Sequence, residues 1–84
     1  METTIEIIQI AINMPNVHSR QIEVSDYRLL ILIKFKDSTS FCKSVLYNEE
    51  AALKQTLDII KIKFDEQTRI ANAQLDTHSS QIQH

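Results

Sequence analysis

Glycine and tryptophan are absent from the 84 residues, and proline and cysteine occur once each. Average usage would supply roughly six glycines in a chain this long. Their absence excludes the G-x-G-x-x-G dinucleotide turn and the Walker A loop, since both need glycine where the backbone turns sharply against a phosphate. It also removes the usual means of bringing backbone close to a substrate. The lone cysteine, Cys42, cannot close an internal disulfide, so a disulfide-stapled secreted domain is not expected and a cytoplasmic location is. The opening Met1-Glu2-Thr3-Thr4 has no positive leader region, and the longest apolar run, Leu29 to Ile33, is too short to span a bilayer. No membrane partner is expected.

What the chain does have is 43% hydrophobic residues, 24% charged residues and thirteen isoleucines, the composition of a folding globular chain. This length gives one domain, read as residues 1–76 with a polar, disordered tail expected at 77–84. The net charge of −2 is unevenly spread: residues 1–26 carry −3, residues 27–63 carry +3 and residues 64–84 carry −2. The middle is mildly basic, short of the concentrated stripe of a strong nucleic-acid binder.

Five isoleucines fall within residues 4–13, and β-branched density of that kind favours a strand. The rival is a short helix burying Ile5, Ile8 and Ile12. Met14-Pro15-Asn16 ends the element, because proline withdraws a backbone donor. Residues 16–19 read as loop, and Gln21 to Val24 as a short strand turning at Ser25-Asp26. The clearest strand is Tyr27 to Lys36, with Tyr27, Leu29, Ile31, Ile33 and Phe35 on one face. Ser40 to Tyr47 returns beside it. Opposing Phe35 to Phe41 and Ile31 to Val45 centres the hairpin on Ser38.

Asn48 followed by Glu49-Glu50-Ala51 is a helix start, an N-cap ahead of carboxylates at the positive end of the helix dipole. Glu50–Lys54, Lys54–Asp58, Lys61–Asp65 and Asp65–Arg69 stand at i,i+4 and Asp58–Lys61 at i,i+3, which extends the helix to about residue 75. At ~100° per residue, Leu53, Leu57, Ile60, Phe64, Ala71 and Leu75 form one narrow apolar arc, with Leu57 at its centre. Ala52, Ile59, Ile62, Ile70 and Ala73 form a second arc. One sheet cannot bury both, so the second arc is the candidate interface, covered by a second copy of the chain, by another protein, or by the N-terminal segment folding back. The expected fold class is therefore α+β: an antiparallel sheet of three to four strands with one long C-terminal helix packed on one face.

Candidate chemistry is sparse. His18, His78 and His84 share no metal-ligand spacing, so no metal is expected. Cys42, mid-strand, reads as a half-buried structural thiol. Glu49, Glu50, Asp65 and Glu66 are accounted for by helix start and ion pairing, which leaves no acidic pair for acid–base work. Neither an enzyme nor a small-molecule cofactor is expected. Arg28, Lys34 and Lys36 share one sheet face by parity, and a two-stranded ribbon presenting such a face can enter a major groove.

Two strands followed by a helix opening Asn48-Glu49-Glu50-Ala51-Ala52 resemble, in order alone, the strand-strand-helix arrangement of integrase arm-binding domains and the C-terminal part of double-stranded-RNA-binding domains. The resemblance covers residues 27–60, matches no glycine, aromatic or basic signature of either family, and carries over no functional residue. The expectation is a non-catalytic interaction module, a homo-oligomeric regulator, adaptor or inhibitor that binds another macromolecule. The alternative is a small nucleic-acid-binding regulator using the basic sheet face.

Overall fold

The computed structural model describes residues 2–82, with side chains described for residues 2–73. Its element order is α1 (Glu2–Ile12), β1 (Val17–Val24), β2 (Arg28–Phe35), β3 (Ser40–Leu46) and α2 (Glu50–Ile82). The three strands form one antiparallel sheet in the order β1-β2-β3, and the long C-terminal helix packs on it. This is the α+β class expected from the sequence, with the strand-strand-helix order of residues 27–60 present as β2, β3 and α2. α2 runs to Ile82, past the end expected near residue 75 and into the expected tail, 77–84, whose side chains lie outside those described. Among the described residues no helix is long and apolar enough to cross a membrane.

β2 is the central strand. Leu29, Ile31, Ile33 and Phe35 are all buried, while Arg28 and Lys34 on the alternate positions are exposed. From β3 the sheet adds Phe41 and Val45 to the same core, and β1 contributes the half-buried Ile22. β1 is longer than expected, beginning at Val17 rather than Gln21, because a register irregularity between Val17 and Ser19 absorbs His18 and lets Val17 pair with Phe35.

The N-terminal segment is a helix, not a strand, and so the sheet has three strands. Its buried face is Thr4, Ile7 and Ala11, at i, i+3 and i+7. That face lies one residue back from the Ile5-Ile8-Ile12 face of the helical alternative, and Ile5 and Ile12 are exposed. Packing decides the matter over propensity: Thr4, Ile7 and Ala11 are buried, and Ile7 and Ala11 join the core that α1 shares with α2 and β2. The two helices share a flank, on which Glu6 pairs with Lys61 at 3.4 Å.

The β2–β3 hairpin sits two residues from its expected register. Ile33 faces Phe41 and Leu29 faces Val45, so the apolar face is kept and only the partners change. The loop explains the choice. The Phe35 N–H donates to the Thr39 carbonyl, the Ser38 N–H donates to the Phe35 carbonyl, and Ser38 takes φ 74°. In such a three-residue loop the last position is left-handed. The expected register would place the β-branched Thr39 there, at a far higher steric cost than serine.

α2 is 33 residues long, ~50 Å at 1.5 Å per residue, against ~27 Å for an eight-residue strand. The molecule is accordingly elongated, 55 × 19 × 16 Å. Its core line is rotated from the expected arc. Leu53 and Ile60 are buried as expected, but Leu57 and Phe64 are only half-buried, and Thr56 and Gln67 are fully buried. The Thr56 hydroxyl donates to the Ala52 carbonyl at 2.8 Å, which satisfies it within its own helix. None of the five expected charge pairs along α2 is closed; among the described residues its ion pairs are Lys61–Glu6 and Lys63–Glu66. Lys61 finds its carboxylate on α1 because the two helices lie side by side.

Candidate functional site

α1 packs against one flank of α2. Glu6 meets Lys61 there, and Ile10 with Lys61, Phe64 and Asp65 lines an apolar recess of about 260 Å³ between the helices. On the helical wheel Ile59 and Ile62 stand away from that flank, so the N-terminal segment does not fold back over the second arc. Ala52 and Ile70 are half-buried at the edge of the core, whereas Ile59 is 38% exposed, Ile62 is 66% exposed and Ala73 is exposed. The five expected interface residues thus divide into two that border the core and three that face outward.

A polar corner ties three elements together at the other end of the core. The Asn16 side-chain amide donates to Gln67 Oε1 at 2.8 Å, and Gln67 Nε2 donates to Asp37 Oδ2 at 3.2 Å. Asn16 precedes β1, Asp37 lies in the β2–β3 loop and Gln67 belongs to α2. Asp37 Oδ1 accepts from both the hydroxyl and the backbone N–H of Thr39. Those two bonds, with lesser help from Gln67 and the Lys63 charge, hold the Asp37 carboxyl below the usual carboxylate range. The backbone residues Asn16 (φ 61°) and Ser38 (φ 74°), both left-handed, lie in this corner. In a chain without glycine, asparagine and serine carry the positive φ angles that these turns require.

Sequence reasoning missed this corner, although part of it was readable. Asp-x-Thr after a strand is an Asx-type turn signal, and asparagine after proline is a common left-handed residue. The role of Gln67 had no local signal, because a glutamine in the midst of charged helix residues looks solvated until its partners, 51 and 30 residues away, are known.

Beside the corner, His18, Lys34, Phe35, Lys36, Ser38, Thr39 and Ser40 line a cleft of about 660 Å³. The expected basic set is split by this arrangement. Lys34 and Lys36 share the cleft, with Lys36 in the turn beyond β2, while Arg28 begins the strand at the opposite end of the sheet and lies 6.0 Å from the Tyr27 ring. Replacing Arg28, Lys34 and Lys36 together by alanine is expected to leave the circular dichroism spectrum unchanged and to shift stability by no more than about 0.5 kcal/mol per site, since all three are exposed. A denaturant midpoint far below that of the parent would show that one of them supports the fold.

Cys42 is exposed on the open face of the sheet, opposite Leu32, and not half-buried as expected, because no second layer covers that face among the described residues. His18 belongs to the strand β1 and not to a loop; His78 and His84 lie outside the described side chains. Among the described residues no three His, Cys, Asp or Glu side chains are gathered where they could hold a metal ion. Compared with protein-family models, with curated proteins and with solved structures, the chain matches none.

Proposed function

We propose that this protein is a non-catalytic interaction module which pairs with a second copy of itself along the outer flank of α2 and acts, as a regulator, adaptor or inhibitor, by binding another macromolecule. One observation carries the reading: α1 occupies the opposite flank of α2, while Ile59 and Ile62 stay in contact with water. A helix of this kind gains by covering such a stripe, and a symmetric pair brings the same residues of two chains together at the contact centre. A cytoplasmic setting accompanies the proposal, because an exposed free thiol such as Cys42 is suited to a reducing compartment.

The test is the double substitution Ile59→Glu with Ile62→Glu. Glutamates at a contact centre lose their water and repel their symmetry mates. The expected product is a folded monomer: light scattering reports half the parent mass or less, with helical circular dichroism retained. A parent protein that is already monomeric across the micromolar range overturns the self-association reading.

A further inference from the structure

We infer that the cleft at the β2–β3 hairpin end is a binding site for a small phosphorylated molecule. Its lining gathers Lys34, Lys36 and His18 with Ser38, Thr39 and Ser40, of which the Thr39 hydroxyl is bonded to Asp37. No carboxylate lines it, in a chain whose net charge is −2. The nearest acid in sequence, Asp37, has both oxygens committed to Thr39 and Gln67. Among the described residues no hydrogen bond or ion pair engages the side chains of His18, Lys34, Lys36, Ser38 or Ser40, so these donors remain available to a ligand.

The site is shaped by the fold and not merely by surface charge. The irregularity in β1 places His18 on the cleft, and the left-handed Ser38, held by the Asp37–Thr39–Gln67 bonds, turns the hairpin tip at its rim. Non-glycine residues at positive φ gather where a ligand is clamped more often than elsewhere. A volume of about 660 Å³ falls within the range of small-molecule sites and exceeds what one phosphate group fills. Ammonium groups and hydroxyl donors recognise phosphate by charge-assisted hydrogen bonds.

The occupant is a small molecule and not a nucleic-acid strand, because the cationic surface is short. From Lys34 the open sheet face continues through Leu32 and Leu30, with Gln21 and Glu23 alongside, before it reaches Arg28. That gap is six residues, ~20 Å at 3.3 Å per residue, and offers no cation for a polymer backbone to follow.

The experiment titrates the full chain, labelled with ¹⁵N, against inorganic phosphate and against phenyl phosphate, with sodium chloride at matched ionic strength as control. Saturable shifts confined to the amides of residue 18 and residues 34–40, absent with chloride, are expected. Tighter binding of phenyl phosphate assigns an organic phosphate ester, and equal binding assigns the free anion. Lys34→Gln with Lys36→Gln should weaken either ligand about tenfold or more while leaving the rest of the spectrum in place, and Lys34→Arg with Lys36→Arg should restore it. Linear drift without saturation, or equal affinity in the Gln variant, overturns the site. Tighter binding of a single-stranded oligonucleotide than of phenyl phosphate, with shifts extending to Arg28, overturns the small-molecule assignment in favour of a polymer.

Discussion

Truncating Ile60 to alanine is expected to lower the free energy of unfolding by about 2–5 kcal/mol, the range for removing a large aliphatic side chain from a packed interior. Ile60 is 0% exposed and belongs to the same cluster as Ile7 and Ala11 of α1 and Leu29, Ile31 and Ile33 of β2. The cavity it leaves would therefore lie where both helices meet the sheet, bounded by elements that cannot all collapse inward together. Ile12, 54% exposed at the end of α1 and outside the proposed contact, provides the internal control: Ile12→Ala should change stability by no more than about 0.5 kcal/mol. Leu57→Ala should fall between them, because Leu57 is half-buried on the α1 side of the core line. Urea titrations of the three variants give the order directly. A larger loss for Leu57→Ala than for Ile60→Ala would show that α2 is rotated toward the arc read from its sequence.

That rotation illustrates what the sequence could and could not disclose. β2 was legible because one alternating strand buried on one face carries its own signature. The run Asn48-Glu49-Glu50 marked the start of α2 within a residue or two, although Glu49, whose carbonyl accepts the first helical bond from Leu53, takes the N-cap position expected of Asn48. Two sets of residues defeated local reading. On α2 the core line runs through Thr56 and Gln67, which pattern analysis counts as polar, because their hydrogen-bonding groups are satisfied by partners that hydrophobicity does not encode. On α1 the five isoleucines argue for a strand, yet the segment is a helix whose packed face is Thr4, Ile7 and Ala11, fixed by tertiary contact with α2 and β2 that local pattern does not encode. The hairpin register was undetermined for another reason. Both pairings oppose apolar to apolar, and the choice rests on whether Ser38 or Thr39 takes the left-handed backbone, a cost of one residue that strand patterning does not contain. At the candidate site the same rule holds. The outward-facing Ile59 and Ile62 follow from helical periodicity, whereas the meeting of His18 with Lys34 and Lys36 depends on the β1 irregularity and on tertiary pairing.

The polar corner yields the second large effect, a pH-dependent one, through Gln67→Glu. Gln67 is fully buried, accepts from Asn16 through its carbonyl oxygen and donates to Asp37 through its amide nitrogen. A protonated glutamic acid reproduces that pattern, with its carbonyl accepting and its O–H donating to Asp37. An ionised one sets a second carboxylate, itself buried, beside the partly exposed Asp37, so the folded state favours the protonated acid and raises its pKa above the unfolded value of about 4.3. The sign follows from linkage. With the folded pKa raised, the variant has its full stability below about pH 4.3 and loses about 1.4 kcal/mol for each pH unit above it until the folded pKa is reached. The cost relative to the parent is therefore larger at pH 7 than at pH 5, by at most about 2.7 kcal/mol, and shrinks as the pH is lowered. Asp37 contributes in the opposite sense: its depressed folded pKa stabilises the fold above its unfolded value of 3.8 and is lost only as the pH falls further, so the two effects occupy different windows. Gln67→Leu separates charge from lost bonding, since it leaves the Asn16 amide without its acceptor and removes the donor to Asp37 Oδ2 at every pH, while the Thr39 bonds to Oδ1 remain; its cost, about 1–3 kcal/mol, should stay level between pH 5 and 7. Denaturant titrations of both variants across that interval decide the matter. A flat cost for Gln67→Glu, or one under about 1 kcal/mol at pH 7, means that the side chain at position 67 reaches water and that the corner is held together without it.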